Sequence, residues 1–483
     1  MHPTEAARAP VARGDILELV VEKFADRGRS LARIGDAGFV VFLEGAVPGD
    51  RVRAQVRRRK GRFAEARVLE VLDPSPLRTT PRCEYFGVCG GCKWQHVSYP
   101  AQLEMKRQAV VDALTHTGGL DLATLGVTVP PTMGCDEPYF YRNKMEFSFA
   151  SARWLTDEEI ATGADFDRDF ALGLHVPGRF DRVLDLHACY LQSEWSARAV
   201  NATRDFARSH GWEPWDARQQ RGFLRHLVVR TPAHVDERML NLVVSRHDAE
   251  RMEQFAAFVR LALPETTTLI ETVNDSPAQT AFGDSRALFG PGVVHDRLGP
   301  FTFEIGPNSF FQTNTRQAER LYDVAAGAAA LGPDDLVYDL FCGTGTITLW
   351  LARYARHVVG VELVEEAVAG ARASMLANGV DNCTFVAGDM LRVLTPDFFS
   401  EHGAPDVVVV DPPRAGLHPR VAERLADARP PRLIYVSCNP QTQARDLAIL
   451  GAGRAYAITT VQPVDLFPHT AHIECVVGME RRE

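Results

Sequence analysis

Cys438 ends an apolar run, Leu433-Ile434-Tyr435-Val436-Ser437-Cys438-Asn439-Pro440, in which the proline stops a strand pattern and leaves a thiol at its end. The commoner fate of such a cysteine is to be a small buried hydrophobe. Its alternative is nucleophilic. The thiolate is the attacking species, and a free thiol of pKa about 8.5 is only slightly ionised at pH 7, so it needs a polar, activating cleft. Glu474, in Ala471-His472-Ile473-Glu474-Cys475, is the best candidate for a base that takes a proton in the same reaction.

Acids and glycines upstream supply a cleft of that kind. Asp339-Leu340-Phe341-Cys342-Gly343-Thr344-Gly345 sets an acid and a Gly-x-Gly turn between an apolar strand and a helix, where missing β-carbons let a ligand approach the backbone. A dinucleotide fingerprint would place a third glycine at position 348; Thr348 stands there, which favours S-adenosylmethionine over NAD. Glu362 lies 19 residues beyond Gly343, near the spacing at which an acid accepts hydrogen bonds from a ribose. Asp389, in Ala387-Gly388-Asp389, and Asp411 follow later strands. Any one of these acids could merely cap a helix; the ordered set points to a cofactor.

Asp411-Pro412-Pro413-Arg414 bears on which atom is methylated. Each proline locks φ and offers no N–H, so the loop is rigid. Enzymes that methylate exocyclic amines follow such prolines with an aromatic residue, and Arg414 stands here instead. Methyltransferases acting on cytosine C5 in RNA typically carry a cysteine in this loop, which has none. Uracil C5 is what remains. That carbon is a poor nucleophile until a thiolate adds to C6, the task Cys438 would perform, and Glu474 would then remove the C5 proton so that the thiol can leave.

These residues must be held by strands and helices in alternation. From position 336 the chain reads as a strand over 336–338, a helix from Ile347, a strand over 358–361, a helix from Glu365 ending at Asn378-Gly379, and a strand over 407–410. That is a doubly wound, Rossmann-like parallel sheet. Residues 15–72 read as short strands punctuated by glycines, as in a small β-barrel, and Asp73-Pro74-Ser75-Pro76 reads as a linker. Residues 77–305, with a helix near 101–115 and an alternating stretch over 144–149, read as α+β, so the whole is an α/β multidomain chain.

Bulk properties agree. A length of 483 residues implies roughly three domains at about 150 residues each, and 46% apolar residues can build a core in each. The first ten residues lack the apolar run of a signal peptide and no 18 apolar residues run together, so the expected location is the cytoplasm. Nine cysteines in a reducing compartment point to metal or catalysis rather than disulfides. The net charge of −9 excludes a chain basic throughout, yet residues 51–67 hold eight Lys or Arg against Glu65 alone, which keeps a nucleic-acid partner open.

Phe310-Phe311-Gln312-Thr313-Asn314, the 339–345 turn, the 411–414 loop, residues 436–440 and His472-Ile473-Glu474 together resemble the RNA 5-methyluridine methyltransferases over about the last 170 residues. The resemblance implies Gln312, Phe341, Glu362, Asp389 and Asp411 at S-adenosylmethionine, Cys438 as nucleophile and Glu474 as proton acceptor. Thr346 is carried over as a cofactor position, although many members have Asn there.

Cys83, Cys89 and Cys92, spaced Cys-x5-Cys-x2-Cys, have metal-ligand spacing, with Cys189 as candidate fourth ligand. Four thiolates fit zinc or an iron–sulfur cluster equally well by count. The 23S-rRNA-type branch of the family has this arrangement and binds a [4Fe-4S] cluster, so the resemblance implies iron–sulfur, in a structural or RNA-positioning role. Residues 15–72, with the turn Val47-Pro48-Gly49-Asp50-Arg51-Val52, resemble a TRAM domain, an OB-like barrel, and this turns the basic run from a solvated hairpin tip into a phosphate contact. The expected organisation is a TRAM barrel over 12–72, a central cluster-binding domain over 73–92 and 126–305, and a catalytic domain over 93–125 and 306–483. The expected partner is RNA, 23S rRNA ahead of tRNA, with no membrane, and the expected state is a monomer. Two competing classes are opposed by particular residues. An inactive methyltransferase fold serving as an RNA-binding scaffold would have no need of the complete Cys438 and Glu474 pair. A radical enzyme would carry Cys-x3-Cys-x2-Cys, and the first gap here is longer.

Overall fold

The computed structural model describes residues 11–25, 28–35 and 38–483; the amino-terminal run read above for a signal peptide falls outside the described residues for its first ten positions. Three sheets and a hairpin follow one another along the chain. The front sheet has six strands in the order Ile16–Val20, Arg51–Lys60, Phe63–Asp73, Phe39–Glu44, Ser30–Ile34, Lys23–Phe24. Alternation sets its inner face: Val52, Ala54 and Val56 are buried while Arg51 and Arg53 point out. Three of the eight basic residues in this stretch are engaged by carboxylates, Arg51 with Asp73, Arg53 with Glu70 and Arg67 with Asp157. Arg57, Arg58, Arg59, Lys60 and Arg62, at the exposed hairpin tip, keep their charge for a partner.

Asp50 fastens this sheet to the linker. Its buried carboxylate accepts the Val47 N–H at 2.6 Å, the Ser75 N–H at 2.8 Å, and Arg78 Nε and Nη2 at 2.8 and 2.7 Å. Burial alone would raise its pKa, but Arg78 and the two N–H groups outweigh that and hold the carboxyl below its ordinary value. The resulting stability is present above about pH 4, where unfolded aspartate ionises, and is lost as pH falls below it. Asp50→Ala is expected to cost about 3 kcal/mol, the lower end for breaking a buried pair because Arg78 keeps some water contact. Urea melts at pH 7 and pH 3.5 check this, since the gap between variant and wild type should begin to narrow at the lower pH and go on narrowing as pH falls through the depressed folded value.

The central sheet has eight strands in the order Asp284–Phe289, Thr268–Val273, Met239–Val244, Leu224–Arg230, Lys144–Ala150, Ala171–His175, Val183–Asp185, Arg153–Trp154. Helices Glu194–Ser209 and Ala249–Ala262 supply Trp195, Phe206 and Phe255 to its core, with Leu227 and Leu240 from the strands. The alternation over 144–149 predicts one wet face, but residues 147–150 are all buried. The reason is tertiary: the Ser148 hydroxyl lies 3.2 Å from His226 Nδ1 of the neighbouring strand, and Ala150 packs with Ala171 and Val183.

The carboxy-terminal sheet has seven strands in the order Cys383–Ala387, His357–Glu362, Leu336–Leu340, Val407–Val410, Arg432–Ser437, Glu474–Arg481, Tyr456–Val464. The first five are parallel, as the alternation predicts; the last two form an antiparallel edge hairpin that periodicity did not reveal. Its register sets Cys475 opposite Ser437, so the amino-terminal end of Glu474–Arg481 meets the carboxyl end of Arg432–Ser437. Helix Tyr99–Asp112 and the turn after it place Val110, Ala113 and Leu114 in one core with Leu447 and Leu450 of helix Pro440–Leu450. The hairpin Val294–Leu298 with Phe301–Ile305 puts Val294, Leu298 and Phe303 in the core beneath helix Thr315–Ala329. Among the described residues no helix is long and apolar enough to cross a membrane.

Candidate active site

A cleft of about 960 Å³ opens at the carboxyl edge of the seven-stranded sheet, where Gln312, Phe341, Thr346, Glu362, Asp389, Asp411, Cys438 and Glu474 all line it. This is where open α/β sheets bind ligands, because strand ends and helix starts converge there. Phe341, just past the end of Leu336–Leu340, has φ +67°, a left-handed conformation that strains a residue with a side chain and is found mainly at functional sites. The two glycines of the turn do different work. A β-carbon on Gly343 would meet nothing within 4 Å, whereas one on Gly345 would lie 2.9 Å from the Phe385 ring. Gly343 leaves room in the cleft; Gly345 permits helix Thr346–Ala352 to pack against the sheet.

Glu362 accepts the N–H groups of Gly343, Leu363 and Val364 at 3.1, 2.8 and 3.0 Å, which fixes its carboxylate at the cleft wall. Asp389 caps helix Met390–Val393 through the Leu391 N–H at 2.9 Å, so the capping role and the lining role coexist. Thr346 shares a hydrogen bond of 2.9 Å with the Tyr322 hydroxyl. Asp339, the acid that opens the turn motif, lies beneath the cleft rather than in it. It accepts the Thr348 hydroxyl at 2.6 Å, and burial pushes its carboxyl up to about 7.

The charges around Cys438 oppose one another. Burial pushes the thiol up to about 11, helped by the neighbouring Glu474 charge and opposed by the Arg414 guanidinium, which hydrogen-bonds the sulfur. Burial and then Asp411 drive Glu474 well above the ordinary carboxylate range, again opposed by Arg414. Asp411 is raised by burial too. His472 is pushed down to about 4 by burial and by Arg414, Lys106 and Arg142, so it is neutral at pH 7. Asp411 and Glu474 thus stand close enough to oppose one another, with Arg414 as the countercharge beside them.

Sequence reasoning missed four cleft residues. In the sequence Arg414 argues against amine methylation and signals nothing more, and His472 has no signal beyond its place beside Glu474. Phe310 is 69% exposed at the cleft, an unfavourable place for a phenyl ring unless something stacks on it. Arg142 enters from the loop before central strand Lys144–Ala150 and had no signal in the sequence.

Cys83, Cys89, Cys92 and Cys189 line a second, small cavity walled by Leu174, Leu186 and Leu191. Each thiol is raised first by burial, and the Cys189 charge raises the other three, so the four sulfurs feel one another. The metal site expected from the spacing needs a correction in one respect: among the described residues no three His, Cys, Asp or Glu side chains form a group that could hold a metal ion.

A cleft rimmed by acids at the strand ends of such a sheet, with a thiol and a carboxylate brought together by the antiparallel edge, has the fold and the placement of a methyltransferase site. The tRNA (Uracil-5-)-methyltransferase family model matches residues 293–482, and the TRAM domain model matches residues 10–69. An uncharacterized RNA methyltransferase of Chlorobaculum tepidum is 42% identical over 100% of both chains, and one of Porphyromonas gingivalis is 42% identical over 95% of this chain and 99% of its own. The crystal structure of Pyrococcus abyssi tRNA (uracil-54, C5)-methyltransferase in complex with S-adenosyl-L-homocysteine superposes with a TM-score of 0.72 at 26% identity, over 96% of this chain and 99% of that one. The chain belongs to the RNA uracil-5 methyltransferase family and carries a TRAM domain. It is an S-adenosylmethionine-dependent enzyme.

Proposed function

We propose that this enzyme forms 5-methyluridine by covalent catalysis, and the observation that carries the reading is Cys438, Glu474 and Arg414 meeting in one cleft with the acids Glu362, Asp389 and Asp411. Cys438 adds as thiolate to C6 of the uracil, breaking the C5–C6 double bond and moving its electrons to C5. S-adenosylmethionine supplies the methyl group that C5 takes. Glu474 accepts the C5 proton, the double bond reforms, and the C6–S bond breaks to return the thiolate. Gln312, Phe341, Thr346, Glu362, Asp389 and Asp411 hold the cofactor, whose cationic sulfonium suits a cleft lined by several acids. Phe310 offers its exposed ring to a base drawn out of its stack.

Cys83, Cys89, Cys92 and Cys189 fit a [4Fe-4S] cluster better than zinc in this reading. The family resemblance carries that preference, since four thiolates lining one cavity fit either group by count. Anaerobically purified protein is expected to be brown, with broad absorbance near about 400 nm from thiolate-to-iron charge transfer, and Cys89→Ser should lower its iron content. Colourless protein with stoichiometric zinc would remove the iron assignment.

The RNA is expected to be 23S rRNA, read from the TRAM domain together with the cysteine set; the likeness to the Pyrococcus abyssi enzyme favours tRNA as the second reading. The enzyme acts as a cytoplasmic monomer, organised as residues 12–72, 73–92 with 126–305, and 93–125 with 306–483, the hairpin at 294–305 forming the seam. Mapping 5-methyluridine in ribosomal and transfer RNA from cells with and without the gene tests both reaction and substrate. An unchanged map in both RNAs removes the proposal.

A further inference from the structure

The connection between the edge strands Tyr456–Val464 and Glu474–Arg481 carries Phe467 and His472 into the cleft and ends on Glu474. Its course is fixed at His469, which is 3% exposed and has φ +64°. The His469 carbonyl accepts two hydrogen bonds from the cysteine segment, from the N–H groups of Lys93 at 2.8 Å and Trp94 at 3.0 Å. Its own N–H donates to Gln102 Oε1 at 2.9 Å, while Gln102 Nε2 donates to the carbonyls of Trp94 and Val97 at 3.0 and 2.8 Å and lies 3.2 Å from His469 Nδ1. The imidazole packs on the Tyr139 ring at 4.2 Å. One buried side chain, Gln102, thus ties the cysteine segment and the catalytic connection into a single unit. Ala471, two residues further on, packs with Trp94 and Val97 in a small core shared with Val47 and Phe24 of the TRAM domain.

We infer that the segment Cys92 to Trp94, acting through His469, is the positioning device for the proton acceptor, an inference that rests on the reading of Glu474 above. The residue after a cysteine of the proposed cluster sets where Glu474 stands, and the cofactor residues on the parallel strands do not depend on it. Disturbing His469 therefore slows release of the methylated RNA while leaving cofactor binding and thiolate addition in place.

The test uses the full-length holoenzyme with S-adenosylmethionine and total RNA from cells lacking the gene. His469→Val puts a β-branched residue where the backbone is left-handed, which it cannot adopt without strain; Asn tolerates that conformation. The valine variant is expected to accumulate a denaturation-resistant protein–RNA adduct and to release methylated RNA roughly tenfold to a hundredfold more slowly, the scale of a misplacement of about 1 Å. Its affinity for S-adenosylmethionine should equal that of wild type, and His469→Asn should release RNA near the wild-type rate. Wild-type turnover in the valine variant overturns the proposal, as does a defect confined to cofactor affinity or adduct formation. Should the valine variant not fold, Gln102→Asn, one methylene too short to hold both segments, is read in the same assay, and wild-type release there overturns it equally. Glu474→Gln run alongside separates the two ideas. An adduct in that variant with none in the histidine variant removes this proposal alone, and no adduct in it removes the role of Glu474 and this proposal together.

Discussion

Cys438→Ala is expected to abolish 5-methyluridine formation and every covalent species with RNA, whereas Glu474→Gln is expected to trap one. The two side chains act at different moments and should fail differently. Without the sulfur nothing adds to C6, C5 never gains the electron density to take a methyl group, and a denaturing gel shows free protein only. With the sulfur present and the carboxylate gone, addition and methyl transfer proceed, but the C5 proton stays and the C6–S bond has no route to break. The glutamine variant should therefore give a band of retarded mobility that the alanine variant lacks, with turnover lower by about a hundredfold to ten-thousandfold, the span of a lost general base. An adduct from the alanine variant would remove Cys438 from the mechanism, and wild-type turnover by the glutamine variant would remove Glu474.

The second large effect is expected at Arg414, which sequence reading used only by exclusion. Its guanidinium lowers both Cys438 and Glu474, so it favours the thiolate and the carboxylate that the reaction needs, against the burial that raises them. Arg414→Met removes that charge, and both groups should hold their protons to higher pH. Each unit of upward shift leaves about tenfold less of the reactive form at pH 7, so a fall in kcat/KM of roughly tenfold to a hundredfold follows from a shift of about one to two units. The sign gives the check: the ascending limb of the pH profile should move to higher pH, and the deficit should shrink as pH rises. Arg414→Lys, which keeps a point charge without the planar fork, should fall between the two. A lower rate with an unmoved pH profile would mean that Arg414 acts on RNA instead.

The basic run shows how a local reading and a tertiary one differ. Eight cations over residues 51–67 predict a phosphate contact along the run, but Arg51, Arg53 and Arg67 meet Asp73, Glu70 and Asp157, partners that lie 17 or more positions away. Charge composition counts residues; pairing depends on which strands lie side by side. The cations of the run without a carboxylate partner among the described residues are those of the hairpin tip at 57–62, which is where the proposed phosphate contact would fall.

What the sequence determined alone are the features written in short stretches of chain. The strand Val407–Val410, the helix from Glu365, the Gly-x-Gly turn and the rigid Asp411-Pro412-Pro413 loop follow from apolar period, glycine and proline, and these interactions reach only a few residues. They put Glu362, Asp389, Asp411 and Cys438 at strand ends, where all four line the cleft, whereas Gln312, Phe341 and Thr346 came only from the family resemblance. The tertiary structure decided how the residues meet. Glu474 reaches Cys438 because its strand runs antiparallel at the sheet edge, and strand direction is set by pairing with a distant partner, not by local pattern. Arg142 enters from the loop before a strand of the central sheet, and Asp339, in the same motif as Phe341, lies under the cleft because it is still inside the buried strand while Phe341 is past its end in a left-handed turn. The four cysteines share a cavity only because 83–92 and 189 fold against each other, which spacing within one segment cannot encode.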